Sequence, residues 1–281
     1  MAVSASFLGI RIDEMHPQEA LERISAGLGG GQKQRVYFVN AHCVNMAFRH
    51  EEYWGALAQS ELVLADGSGV LLGSRLLGLP IRHNLNGTDL VPRLCAQAAQ
   101  GGLTVFLLGA EPGVADQAAA RLARAYPGLR VVGTQHGFFG PEEEAEVIAR
   151  INAIRPDILL VAMGVPRQEV WITRHWERLD VGAAFAVGAL FDFIAGRFKR
   201  APGWMRRLGI EWVFRLMQEP GRLWQRYLLG NLIFLARVAC AALNPRARHA
   251  AQQALTRPLP AVRSVPVAEK PEPDLAASAS R

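Results

Sequence analysis

Five short segments of this sequence carry side chains able to do chemistry, and each follows or closes an apolar run. They are Val39-Asn40-Ala41-His42, Ala65-Asp66-Gly67-Ser68-Gly69, the LGAEPG stretch from Leu108 to Gly113, the AMGVPRQE stretch from Ala162 to Glu169, and Gly188-Ala189-Leu190-Phe191-Asp192. A carboxylate such as Asp66 at the end of a strand can accept a proton, and amide side chains with glycine-flanked N–H groups can hold an anionic or hydroxyl-rich ligand. Each also has a structural reading. Asp66 would cap the next helix, Gly109 and Gly113 would permit a tight turn, Asn40 would bind a neighbouring loop, and Asp192 would pair with an arginine. Five polar strand ends on one sheet edge together point to a cleft, because open α/β sheets bind ligands where their strands end.

Several familiar chemistries are missing. No GxGxxG follows a strand, GAEPG lacks the third glycine, and no GxxxxGK[ST] occurs, so neither a dinucleotide fingerprint nor a P-loop is present. The seven histidines do not cluster, and no DxD pair ends a strand to hold a divalent ion on a diphosphate. No metal and no cofactor is therefore expected, and helix N-termini and arginines would carry the charge of a nucleotide diphosphate. The three cysteines, Cys43, Cys95 and Cys240, are scattered and form no CxxC pair. That fits a reducing compartment better than a disulfide framework or a structural zinc site.

The elements that must position these residues alternate. Strands are expected at 36–40, 62–65, 103–108, 130–132, 158–163 and 184–187, with helices near 44–59, 69–78, 89–101, 113–126, 141–154 and 167–178. The strands are continuous apolar runs, as when both faces of a sheet are covered. The fold class is thus α/β: a Rossmann-like, mostly parallel sheet flanked by helices. Thr88 stands where an N-cap would precede Asp89, and Pro141 with Glu142–Glu144 suits a first helical turn. A chain of 281 residues with 50% hydrophobic content can bury a substantial core of this kind.

Near Gly196 the pattern changes to helices punctuated by Pro202, Pro220 and Pro245. Residues 1–196 are expected to form the α/β core, 197–245 a basic amphipathic helical appendage, and 246–281, rich in Ala, Pro and charge, a disordered tail. From Arg197 to Arg248 eleven Lys and Arg face two acids, Glu211 and Glu219, whereas the whole chain carries only +6. Positive charge is therefore concentrated at one end, interleaved with Trp204, Trp212 and Trp224. A solvated basic face is the plain reading of such a run; the tryptophans favour an anionic surface with an apolar component, such as a membrane face or a lipid-linked phosphate. Arg215, Arg222 and Arg226 would share one face of a continuous helix, although Pro220 interrupts it. Leu228–Leu243 is interrupted by Asn231 and Arg237 and is expected to lie on a membrane or dock on protein. With no secretory signal evident, the expected place is the cytoplasm, peripheral on the inner face of the cell membrane.

Eight segments, VNAHCVNM, LVLADGSGV, NLNGTDL, VFLLGAEPGVA, YPGLRVVGTQHGFF, PDILLVAMGVPRQEVWI, GALFDFIAGRFKRAPGWM and GIEWVFRLMQEPGR, resemble in order and spacing the WecG/TagA/CpsF glycosyltransferases. The resemblance runs from about residue 7 to residue 230. It implies metal-independent, inverting transfer of a hexose or N-acetylhexosamine from a UDP-sugar donor to a polyprenyl-diphosphate-linked saccharide acceptor (undecaprenyl diphosphate) at the cytoplasmic membrane surface, in cell-surface polysaccharide biosynthesis. Asp66 would be the general base and Asn40 would orient the sugar beside it. Asn86 and Asp89 would line the pocket, and Gly109, Gly164, Gln168, Glu169 and Asp192 would grip the nucleotide. Arg215, Arg222 and Arg226 would meet the lipid diphosphate; Gln225 stands where many members carry another basic residue. The family's tendency to self-associate makes a homo-oligomer plausible, and no nucleic-acid partner is expected. A different class stays open: a non-catalytic peripheral protein binding nucleotide sugar or lipid diphosphate within a polysaccharide assembly complex. A dehydrogenase is disfavoured by the absent dinucleotide fingerprint.

Overall fold

The structure, a computed structural model, describes residues 3–244. An antiparallel hairpin opens the chain, β1 (Val3–Phe7) and β2 (Ile10–Glu14), followed by α1 (Pro17–Gly29). Then come β3 (Gln34–Val39), α2 (Ala41–Ala47), α3 (Glu51–Gln59), β4 (Leu62–Ala65), α4 (Ser68–Leu77) and α5 (Gly87–Gly101). The chain continues through β5 (Thr104–Gly109), α6 (Val114–Ala125), β6 (Arg130–Gln135), α7 (Glu144–Ile154), β7 (Ile158–Ala162), α8 (Arg167–His175), β8 (Ala183–Ala186) and α9 (Leu190–Ile194). Four helices end the described residues: α10 (Gly203–Arg207), α11 (Glu211–Gln218), α12 (Pro220–Trp224) and α13 (Gly230–Leu243).

The sheet is six-stranded and parallel, in the order β4-β3-β8-β7-β5-β6. Alternate residues of each strand feed two cores. Tyr37, Val39, Val63 and Val161 face one side with α2, α3, α4, α7, α8 and the hairpin. Val36, Phe38, Leu64 and Leu160 face the other with α1, α5, α6 and α9. Both faces being covered is why these strands are apolar throughout. Helices after β3 and β8 leave on opposite faces, as do those after β5 and β7, so the carboxyl edge opens beside Asn40, Asp66, Gly109, Gly164 and Gly188.

The hairpin and α1 were not anticipated from sequence. The hairpin covers the outer edge of β4. Asp13, fully buried, accepts from Ser4 Oγ (2.6 Å) and from the Val63 N–H (2.9 Å), so a carboxylate satisfies backbone that an edge strand would leave bare. The expected helix 44–59 is two helices broken at Phe48–His50, the expected cap Thr88 gives way to Asn86, and the helix expected from Pro141 starts at Glu144 after a turn.

The last helices pack on the face carrying α2 and α4. Phe234 and Val238 are buried there, and Phe234 stacks on Phe7 at 6.0 Å between ring centroids. Their seat is made by glycine: a Cβ on Gly73 would stand 2.7 Å from Phe7 and 3.2 Å from Val238, and one on Gly69 would stand 3.8 Å from Phe234. Burying two such side chains contributes about 1.5–3 kcal/mol each. The helix running from Pro220 to Leu243 is 24 residues, long and apolar enough by length and composition to cross a membrane, yet it is docked on protein, with Leu223, Phe234 and Val238 buried. Along the same helix Leu228, Leu229, Leu232, Leu235 and Leu243 are exposed. The tail expected to be disordered, 246–281, lies outside the described residues.

Candidate active site at the carboxyl edge of the sheet

Asn40 and Asp66 end the neighbouring strands β3 and β4, and the sheet pairing brings them together. Asn40 caps α2 with Oδ1, which accepts from the N–H groups of His42 (3.0 Å) and Cys43 (3.1 Å). That fixes its amide so that Nδ2 donates to Asp66 Oδ2 at 3.1 Å. The Asp66 N–H in turn donates to Val39 O (2.9 Å). Burial pushes the Asp66 carboxyl above its ordinary range; the Asn40 hydrogen bond, Arg226 and Arg200 oppose that, and Asp89 adds to it. Beside it Gly67 has no atom within 4 Å of where a Cβ would stand, so there is open space next to the carboxylate.

Asn86 caps α5: its Oδ1 accepts from the Asp89 N–H (2.9 Å) and the Thr88 hydroxyl (2.7 Å), and its Nδ2 donates to Asp89 Oδ2 (2.9 Å). Asp89 Oδ1 meets Arg200 Nη1 at 2.7 Å. Burial works to raise the Asp89 carboxyl, but Arg200 and Asn86 overcome it and hold the group low. Arg200 also lies 3.6 Å from Glu211, the first residue of α11, whose carboxyl is raised by burial and by the charge of Asp66 against the pull of Arg200. Arg200 thus ties the C-terminal helices to the start of α5. Ser68 Oγ does the same by donating to Gly209 O at 2.6 Å. Neither Arg200 nor Glu211 was assigned a role from sequence; the available signal was the concentration of charge around KRAP.

Gly109, Gly164 and Asp192 reach the same edge from β5, β7 and β8. Gly109 is required by close packing, since a Cβ there would stand 2.4 Å from Ala162 O. Gly164 and Gly188 have open space instead. Asp192 is partly exposed and pairs with Arg197 (3.2 Å), which also holds Glu111 (2.8 Å). Gln168 and Glu169 lie beneath the floor, both buried, so their side chains brace the edge from below.

The three arginines are not brought onto one face. The helix breaks at Glu219, and Glu219 holds both Arg215 (3.4 Å) and Arg222 (3.2 Å). Arg215 is buried between the rings of Phe193 and Phe198, 4.6 Å from each. Arg222 is exposed, and Arg226 is the one that acts on the charge of Asp66. Arg226 also lies near His42, whose ring is pushed down to about 4 first by burial, then by Arg226 and Arg49. Among the described residues no three His, Cys, Asp or Glu side chains are grouped to hold a metal ion.

Residues 5–248 match the sequence profile of the Glycosyl transferase WecG/TagA/CpsF family. The chain is 32% identical over 240 residues to the N-acetylglucosaminyldiphosphoundecaprenol N-acetyl-beta-D-mannosaminyltransferase of Staphylococcus aureus strain MW2, covering 83% of this chain and 91% of that protein. The counterpart from strain NCTC 8325 matches with the same identity and coverage.

Proposed function

Since the chain belongs to the WecG/TagA/CpsF family of glycosyltransferases, we propose that it transfers a hexose or N-acetylhexosamine from a UDP-sugar to a saccharide carried on undecaprenyl diphosphate, with inversion and without a metal. The observation that carries this reading is the Asn40–Asp66 pair at 3.1 Å beside open space, with Arg226 and Arg200 close enough to act on its charge. The acceptor hydroxyl oxygen attacks the anomeric carbon, Asp66 takes the hydroxyl proton, and the bond from that carbon to UDP breaks as the diphosphate takes the electron pair. Asn40 holds the carboxylate at its working angle. The open strand ends at Gly164 and Gly188 give the diphosphate room, and the arginines of the C-terminal segment receive the charge that grows on UDP.

The helical segment meets the acceptor where it resides. Its exposed leucines and the exposed Trp204 and Trp224 face outward, and its excess of basic residues suits an anionic lipid surface. The protein works as a peripheral enzyme on the cytoplasmic face, with Arg222 and Arg226 toward the lipid diphosphate. Arg215, sealed between two rings, holds the segment together. The relatives act on N-acetylglucosaminyldiphosphoundecaprenol with N-acetylmannosamine, so that acceptor and UDP-N-acetylmannosamine head the panel to test. The experiment is UDP release by the purified protein with a panel of UDP-sugars and a short-chain acceptor, with and without chelator. Acceptor-dependent release from one donor, unchanged by chelator, is expected; silence across the panel from folded protein would defeat the proposal.

A further inference from the structure

Beneath the strand ends, Gln168 and Glu169 form a brace that nucleotide contact does not explain. They are 2% and 0% exposed, so neither side chain reaches the open floor. Gln168 Oε1 accepts two backbone N–H groups, from Gly164 just past β7 (3.1 Å) and from Gly188 just past β8 (2.9 Å). One amide oxygen thereby ties together two loops that leave adjacent strands in opposite directions. It can do so in only one orientation, because the flipped amide would set its NH2 against both donors. Glu169 fixes the orientation: its Oε1 accepts from Gln168 Nε2 at 2.8 Å.

The other Glu169 oxygen is buried without a partner. The carboxyl sits near Tyr37, Cys43 and Tyr53, and burial pushes it up to about 7. A half-satisfied buried acid costs stability. An apolar side chain would pack there at lower cost, so stability alone does not account for this residue.

We infer that Glu169 is a positioning residue for the donor, acting through Gln168 to hold the Gly164 and Gly188 loops at the spacing the UDP diphosphate requires. The inference rests on the UDP-sugar reading above and adds to it the part that sets the shape of the donor floor.

The test compares Glu169→Met with Glu169→Gln in the full chain. Amide hydrogen exchange at Gly164 and Gly188 needs no ligand and reads the brace directly; UDP affinity by calorimetry reads its use. In Glu169→Met, exchange at both glycines accelerates and UDP binds about tenfold more weakly, the worth of one well-placed hydrogen bond. The melting temperature stays level or rises, because an unpartnered buried acid has been removed. Glu169→Gln keeps an oxygen that can accept from Gln168 and restores both readouts. Unchanged exchange in Glu169→Met overturns the brace, and accelerated exchange with unchanged UDP affinity overturns its role in donor binding. A lower melting temperature with unaltered UDP affinity would make Glu169 structural only. If the wild type binds no UDP while exchange behaves as expected, the donor reading falls and the brace stands.

Discussion

The parallel sheet and the helices after Gly196 put their apolar side chains to opposite uses. Every residue of β3, β4, β7 and β8 is buried, and the cohesion of the core is internal. In α13 only Phe234 and Val238 are buried, while Leu232, Leu235 and Leu243 are exposed. One region is finished by its own contacts; the other is held to the core by Phe234 and Val238, the Arg200–Asp89 pair and Ser68 on Gly209, and leaves a row of apolar side chains uncovered. Asp66, the proposed base, lies at the boundary, just past the strand that leads into α4, the helix on which α13 is seated.

The largest effect that would break this division concerns the base. Asp66→Asn should lower kcat by about 10²–10⁴-fold with UDP affinity and melting temperature close to wild type; retained turnover would place the reacting centre elsewhere. The same group sets the acid side of the pH profile. A general base works ionised, and burial raises the Asp66 carboxyl, so kcat/KM should fall as pH drops through a value above the ordinary carboxylate range. An acid limb below that range would contradict the burial. Next, Phe234→Ala removes one anchor, and core Phe truncations cost about 3–5 kcal/mol. Transfer to the lipid acceptor should fall about 10²-fold through misplacement of the segment, while far-ultraviolet dichroism still reports a folded sheet. Undiminished transfer would show that the segment need not be seated.

Arg200→Ala should cost about tenfold in kcat/KM, and pairing Arg200→Asp with Asp89→Arg should recover part of it. A double variant no better than either single one would remove the ion pair as the link between the two regions. The smallest change in folding belongs to Leu232→Ser with Leu235→Ser: stability should move by no more than about 0.5 kcal/mol per site, while co-sedimentation with anionic vesicles declines. A loss of stability without loss of vesicle binding would assign that row to the interior.

Much of the sheet was legible because its strands are unbroken apolar runs, and β4 falls where the run 62–65 placed it. The hairpin was not, because VSASF and IRIDE are short and mixed, and the identity of Asp13 matters only against the distant Val63 N–H. The break between α2 and α3 has no glycine or proline to announce it. At the site, residues at strand ends could be named from their position, since topology alone brings them to one edge. What sequence could not separate was contact from support. Gln168 and Glu169 stand in the same motif as the half-buried Gly164 loop, yet their own side chains are buried, and the pairing of Arg200 with Asp89 depends on how the last described helices return to α5.

The seat formed by Gly69 and Gly73 also has a consequence in time. A chain made from its N-terminus can lay down the hairpin, the sheet and Asp66 well before Phe234 and Val238 leave the ribosome. Until then the groove over α4 and the face of Phe7 stay bare. Synthesis of the last described helix therefore covers an apolar groove after the Asn40–Asp66 pair is already in place.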